Sequence, residues 1–302
     1  MKVIFLGTSG SMPTPKRSSS STVIKIGRDL IMFDCGEGTQ RQMVKARVGF
    51  RRDMIILVSH LHGDHVLGIP GLLQTMSLLG RERKLQIFGP EGLVEYIRAF
   101  SQTLGGPSFP VILYEIREPG EIYEDPRFKI VAVPSYHRVN GWGYGFIEEP
   151  RPGRFYPDKA KALGVPEGPL WHKLQHGEKV EINGKVIKSN QVTDPSRPGR
   201  KIVYSGDTRP TESIKKLSEG ADLLIHEATF LDELRDRAIE DGHTTVLEAA
   251  ELAKEAGVKK LALTHISSRY PDNDVLLGEA INIFKRVIIA EDLMEIDIPL
   301  PK

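Results

Sequence analysis

Residues 54–58, Met-Ile-Ile-Leu-Val, form an unbroken apolar run, and the chain passes straight from it into Ser59-His60-Leu61-His62-Gly63-Asp64-His65. A short continuous apolar run is what a strand buried on both faces requires, and such strands belong to parallel sheets covered by helices. Three imidazoles and a carboxylate within six positions are too close together for ordinary core histidines, and they match metals that accept nitrogen and oxygen ligands. The feature therefore calls for an α/β fold with its site where the strand ends, the place where such folds usually build one.

A purely structural site in a reducing compartment more often uses several thiolates, and this chain has one cysteine, Cys35. The cluster is read instead as half of a two-metal hydrolytic centre, with further ligands supplied from elsewhere. Strand-like runs at 3–6, 22–26, 30–33, 54–58, 85–88, 128–133, 201–204, 223–225 and 261–264 alternate with helical spacing at 67–79, 92–104, 211–217, 245–256 and 273–284. This is an α/β pattern. The segments 30–36 and 202–208 echo each other, as do Val58-Ser59-His60 and Leu263-Thr264-His265, which suggests two similar halves sharing one site.

The 302 residues are 40% hydrophobic and 27% charged, an ordinary soluble composition, and no stretch approaches the roughly 18 apolar residues of a membrane span. The N-terminal run is too short for a signal peptide and reads as a first strand, so a cytoplasmic protein is expected. A net charge of +1 exerts no global pull on nucleic acid, and any polyanion must be held by local clusters. The rhythm breaks at 148–184, which is rich in proline, glycine and basic residues and reads as an arm inserted in an otherwise single domain spanning 1–302.

Three later segments place ligand types at strand ends: Tyr136-His137-Arg138, Ser205-Gly206-Asp207-Thr208 and Leu263-Thr264-His265. The expected first zinc takes His60, His62, His137 and Asp207, and the second takes Asp64, His65, His265 and the same Asp207. Two such ions favour attack of water on phosphorus or on an acyl centre. Asp34, ending a strand, is a candidate to hold a ligating imidazole, or a simple turn residue. His226 is a candidate partner of a ligand or a buried core histidine, and His172 and His176 read as surface residues.

His-x-His-x-Asp-His with the downstream His, Asp and His resembles the metallo-β-lactamase superfamily, which implies a four-layer αββα sandwich with metals at one edge. Phe33-Asp34-Cys35-Gly36-Glu37-Gly38-Thr39-Gln40, His226-Glu227-Ala228-Thr229-Phe230, Gly242-His243-Thr244-Thr245 and Thr264-His265-Ile266-Ser267-Ser268-Arg269-Tyr270 are similar to motifs of the ribonuclease Z family. The resemblance runs from Met1 to about Phe284. It implies removal of the 3′ trailer from precursor tRNA after the discriminator nucleotide, leaving a 3′-hydroxyl on the tRNA and a 5′-phosphate on the trailer.

In that chemistry Asp64 serves as general base toward the water, and Glu227 with His243 protonates the leaving oxygen. The alternative for His243 is a helix-entry residue ahead of Thr244 and Thr245. The resemblance also implies RNA contacts by Lys16, Arg17 and Arg269, an exosite arm carrying Gly168-Pro169, and a homodimer in which one arm grips tRNA bound by the other subunit. Pro15 and Ser18 stand where the family pattern has lysine and asparagine. Nitrogen and oxygen donors fit zinc, manganese or iron alike. The competing readings are a general or cyclic phosphodiesterase of the same fold and a catalytically silent tRNA-binding partner.

Overall fold

The computed structural model describes residues 1–301. Two seven-stranded sheets dominate it. The first has the order Glu295–Asp297, Lys2–Gly7, Ser21–Ile26, Asp29–Phe33, Asp53–Leu57, Leu85–Gly89, Val111–Glu115. The second has the order Val287–Ile289, Leu261–Thr264, Leu223–Glu227, Lys201–Tyr204, Trp142–Glu148, Phe128–Pro134, Gly120–Asp125. Four neighbouring strands in each sheet are parallel, from Asp29–Phe33 to Val111–Glu115 and from Lys201–Tyr204 to Val287–Ile289.

Alternation along the strands separates the layers. Leu30, Met32, Met54, Ile56, Leu85 and Ile87 pack with Met43, Leu72, Met76, Leu93 and Ile97 from the helices Thr39–Lys45, Gly68–Leu78 and Leu93–Leu104. The intervening Ile31, Phe33 and Leu57 are equally buried but face the other way. Phe33 stacks on Tyr204 and Tyr144 of the second sheet, with ring centroids 5.0 and 6.4 Å apart. On the far face of that sheet Val203, Leu224, Leu261 and Leu263 pack on Ile214, Val246, Ala250 and Leu276 from three further helices. The result is the αββα sandwich that the family resemblance implies. The runs at 54–58 and 261–264 read as uniformly apolar because both of their faces are covered.

The parallel strands share a direction, so the segments carrying Asp34, His60, Asp207, Glu227 and His265 leave them at their C-terminal ends. The echo between the halves differs from the sequence reading in one respect. Asp53–Leu57 is second of its parallel set, and its counterpart by position is Leu223–Glu227, so His60 corresponds to the Glu227 end and not to His265. The segment beyond Phe284 supplies an edge strand to each sheet: Val287–Ile289 pairs with Leu261–Thr264, and Glu295–Asp297 with Lys2–Gly7.

A second compact unit consists mainly of Glu148–Arg200. Its own small core joins Ala160, Val165, Leu174, Val180, Ile187 and Val192. Two short helices, Pro157–Ala162 and Pro169–Gln175, and the hairpin Val180–Ile182/Lys185–Ile187 build it. Pro169 opens its helix, where a missing N–H costs nothing, and Gly168 before it has φ +136°, which suits glycine.

Candidate metal centre and the Glu227–His243 pair

The site is assembled on the segments that follow the strand ends. His60 Nε2 lies 2.9 Å from His62 Nδ1, which lies 3.3 Å from His137 Nε2. A second group joins Asp64 Oδ2 to His65 Nε2 at 3.4 Å and to His265 Nε2 at 3.3 Å, with the two imidazole nitrogens 3.4 Å apart. Asp207 Oδ2 stands between the groups, 3.7 Å from His60 Nε2, 3.4 Å from His65 Nε2 and 3.2 Å from His265 Nε2. His60, His65, His265 and Asp207 are buried, whereas His62, Asp64 and His137 border an open mouth of about 260 Å³.

Four of the five imidazoles are tethered through the opposite ring nitrogen. His65 Nδ1 donates to Asp34 Oδ2 at 2.7 Å, and His137 Nδ1 donates to the Gly242 carbonyl at 2.9 Å. Ser59 Oγ gives its proton to Asp34 Oδ2, so toward His60 Nδ1 at 3.0 Å it accepts. Thr229 Oγ1 gives its proton to Glu227 Oε2 and likewise accepts from His265 Nδ1 at 2.9 Å. Each Nδ1 therefore carries hydrogen, and each of these rings in its neutral form presents its Nε2 lone pair toward the same small volume. Lone pairs and carboxylate oxygens this close repel one another unless a cation lies among them. The donors thus fit a nitrogen and oxygen divalent-metal centre.

Backbone conformation makes room for this. His265 itself adopts φ +57°, and Gly10 lies against it so closely that a Cβ there would sit 3.0 Å from His265 Nδ1 and 2.7 Å from its carbonyl. Asp34, at φ +55°, is pinned by Ser59 N, Ser59 Oγ and Tyr204 OH as well as by His65. Aspartate is among the few side chains that tolerate this left-handed region.

Beside the cluster, His243 Nδ1 is 2.9 Å from Glu227 Oε1 and 4.0 Å from Asp207 Oδ2. Burial works against a charge on His243, but the facing Glu227 carboxylate pushes its pKa up to about 9. Burial equally opposes charge on Glu227, and His243 holds its carboxyl below the usual range. The Glu227 carboxylate is aimed by Thr208 N at 2.8 Å and by Thr229 Oγ1 at 2.6 Å. Thr245 and Glu248 form a reciprocal cap two residues after His243, and Arg209 bonds both Glu248 and the His243 carbonyl. The helix cap thus fixes the loop on which the imidazole rides. Burial also disfavours the Asp207 anion, but His265, His65 and His60 keep its pKa well below the carboxylate range.

Other residues singled out in the sequence fall elsewhere. Lys16 and Arg269 are exposed, and Arg269 lies over the Phe230 ring. The Arg17 guanidinium is turned inward, where Thr8 Oγ1, the Ala290 carbonyl and Asn273 Oδ1 each accept from it at 2.6 Å. It ties the 14–17 loop to the C-terminal segment, with both Nη1 hydrogens and one Nη2 hydrogen engaged there. His226 is buried on the strand face opposite to Glu227 and bonds the Glu227 backbone carbonyl rather than a member of the histidine cluster. His172 and His176 are exposed and stacked on each other, and Gly168 and Pro169 are exposed in the second unit.

Sequence reasoning did not reach Ser59, Tyr204 and Thr229, whose hydroxyls orient the site from three different strands or their ends. Common residue types at unremarkable spacing give no signal of that kind. It also missed Arg138 and Arg237, which line the mouth and both pair with Asp241.

The chain is 49% identical to ribonuclease Z of Methanosarcina mazei, an alignment covering 99% of this chain and 98% of that protein. It is 46% identical to ribonuclease Z of Archaeoglobus fulgidus over 98% of this chain and 97% of that one. The chain belongs to the ribonuclease Z family. This ribonuclease Z family member is accordingly a nuclease, a phosphodiester hydrolase. A family model described as a beta-lactamase superfamily domain matches residues 171–266, and one described as anti-Pycsar protein Apyc1 matches residues 1–106. Among solved structures, the short form of human tRNase Z superposes with a TM-score of 0.74 at 30% identity, covering 99% of this chain and 100% of that one. The metallo-beta-lactamase fold protein YhfI of Bacillus subtilis shares the fold, with a TM-score of 0.70 at 22% identity over 98% of this chain and 99% of that one.

Proposed function

We propose that this protein is a two-zinc endoribonuclease that cuts precursor tRNA after the discriminator nucleotide, leaving a 3′-hydroxyl on the tRNA and a 5′-phosphate on the released trailer. One observation carries the reading: two donor groups meet at Asp207 Oδ2, with the Glu227–His243 pair beside them. His60, His62, His137 and Asp207 would hold one ion, and Asp64, His65, His265 and Asp207 the other. Bound there, two divalent cations supply an activated water and neutralise a phosphodiester oxygen; manganese or iron would suit the same donors.

The residues divide the remaining work. Asp64, anchored by Ser11 N at 2.9 Å and kept ionised against its burial by His265 and His65, orients the attacking water and takes its proton. His243, cationic at neutral pH, gives its Nε2 proton to the departing 3′-oxygen while Glu227 holds the ring through Nδ1. That an intact acid pair accompanies intact ligand positions weighs against a silent RNA-binding copy. The names of the relatives, ribonuclease Z and tRNase Z, support tRNA as substrate.

Lys16 and Arg269 are assigned to RNA phosphate, and the unit containing 148–184, with exposed Arg154, Lys159, Lys161, Lys173 and Lys179 and with Gly168-Pro169, to the tRNA body. In a homodimer this unit would serve the tRNA bound by the other subunit. A cytoplasmic location follows from the substrate, and no helix among the described residues is long and apolar enough to cross a membrane. The test incubates precursor tRNA with the purified protein, with and without a chelator, maps both new ends and measures bound metal. Cleavage at the discriminator that stops on chelation is expected; uncut precursor with metal bound would overturn the proposal.

A further inference from the structure

We infer that Thr229 is a positioning residue that couples the metal half of the site to the leaving-group half. The residue is 4% exposed, and its hydroxyl stands between two groups of different function. On one side Oγ1 is 2.6 Å from Glu227 Oε2, and on the other 2.9 Å from His265 Nδ1. A hydroxyl has one proton, and a carboxylate accepts but does not donate, so the proton goes to Glu227. Thr229 then meets His265 as an acceptor, and the imidazole must carry its hydrogen on Nδ1. This leaves the His265 Nε2 lone pair aimed at the ligand cluster, 3.2 Å from Asp207 Oδ2 and 3.3 Å from Asp64 Oδ2.

The chain of contacts continues through the other carboxylate oxygen. Glu227 Oε1 accepts from His243 Nδ1 and from Thr208 N. One ordered path, His265–Thr229–Glu227–His243, therefore runs from a ligating imidazole to the imidazole assigned to the leaving oxygen. The opposite flank is joined as well, because the carbonyl next to His243 in sequence, that of Gly242, holds His137 Nδ1 at 2.9 Å. The His137 link uses backbone and no side-chain replacement can remove it. The Thr229 link depends on a single hydroxyl.

The physical consequence is that ordering His265 for a cation and ordering Glu227 for His243 are one event. Without the hydroxyl, His265 is free to take either tautomer and the buried Glu227 Oε2 loses its shortest hydrogen bond. Serine preserves both contacts; valine, nearly the same in shape, preserves neither. Placement of Thr229 two residues after Glu227 on the chain, and across from His265, allows one side chain to touch both.

This inference rests on the proposed metal centre, and the experiment keeps the two apart. Thr229→Val and Thr229→Ser are compared with the parent protein in three measurements. Zinc affinity is read by competition with a chromogenic chelator, cleavage of RNA by gel, and hydrolysis of bis(p-nitrophenyl) phosphate, whose leaving group needs no proton, by absorbance at saturating zinc. Thr229→Val is expected to bind zinc about tenfold more weakly, the lower end of what loss of a ligand's hydrogen-bond partner costs. It should also lose at least tenfold in RNA cleavage even at saturating zinc, while the nitrophenyl diester is hydrolysed within about threefold of the parent rate.

Thr229→Ser should restore all three. A variant Thr229→Val with zinc affinity and RNA cleavage both within twofold of the parent overturns the inference, and so does an equal loss on the two substrates at saturating zinc, which marks a merely structural role. If the parent binds zinc and hydrolyses the small diester but leaves precursor tRNA whole, the tRNA assignment fails while the zinc comparison still judges Thr229.

Discussion

Asp34 Oδ2 lies 2.7 Å from His65 Nδ1, and the same carboxylate accepts from Ser59 N, Ser59 Oγ and Tyr204 OH. One buried anion thus sets the orientation of an imidazole on the helical turn Gly63–Val66, the start of the segment carrying His60, and a tyrosine from the other sheet. Asp34→Asn keeps the left-handed backbone, which asparagine also tolerates, but replaces an acceptor by a donor. Zinc affinity should fall about ten- to a hundredfold. A chelator-competition titration superimposable on the parent's would refute this role for Asp34.

His243→Ala should lower kcat for RNA by about 10² to 10⁴ with little change in KM, because the lost proton transfer belongs to the transition state. Glu227→Gln should act in the same direction, and the double variant should be hardly worse than either single one. Additive losses would show that the two side chains do not work as a unit.

The pH dependence follows from the direction of the His243 shift. Its pKa is raised to about 9, so the cation that the proposed acid role needs is present below that pH and is lost as pH rises through it. The kcat profile should bend downward near pH 9 in the parent, and the bend should be missing in His243→Gln. A profile that is unchanged in the variant would remove His243 from the acid role.

Chelation should cost stability as well as activity. Five imidazole nitrogens and two carboxylates face one another, and a ligand that binds the folded state alone stabilises it by mass action. Thermal unfolding should shift to lower temperature on adding a chelator and return on adding zinc. An unmoved transition would argue that the donors do not hold a metal.

The second unit offers a clean deletion. Ile147 and Lys201 are paired neighbours on antiparallel strands, so joining them by a two-residue turn closes a hairpin in place of 148–200. The shortened protein should hydrolyse bis(p-nitrophenyl) phosphate at close to the parent rate and lose most of its activity on precursor tRNA through KM. Retained tRNA cleavage would show that this unit does not grip the substrate.

Much of this was legible in the linear chain. The apolar run at 54–58 predicted a strand covered on both faces, and the histidines after it marked the end that carries the site. That His137, Asp207 and His265 gather at the same cluster was legible because each follows an apolar run that ends in a polar residue able to ligate. Strands at the margins were not: Val111–Glu115 alternates between half-buried and exposed positions, and Glu295–Asp297 has one buried residue of three. Such strands exist through their pairing, which a local pattern does not contain.

The sequence by itself determined the layered α/β architecture, the donor types and the order in which the chain presents them, since periodicity and ligand chemistry are local properties. Tertiary structure alone decided the hydrogen-bond directions. It turned Arg17 inward to Ala290 and Asn273, sent His226 to the face away from the histidine cluster, and set Thr229 between His265 and Glu227. Those outcomes depend on which side of a strand faces which layer and on groups up to 273 positions apart in the chain meeting within hydrogen-bond distance. Only packing brings such partners together.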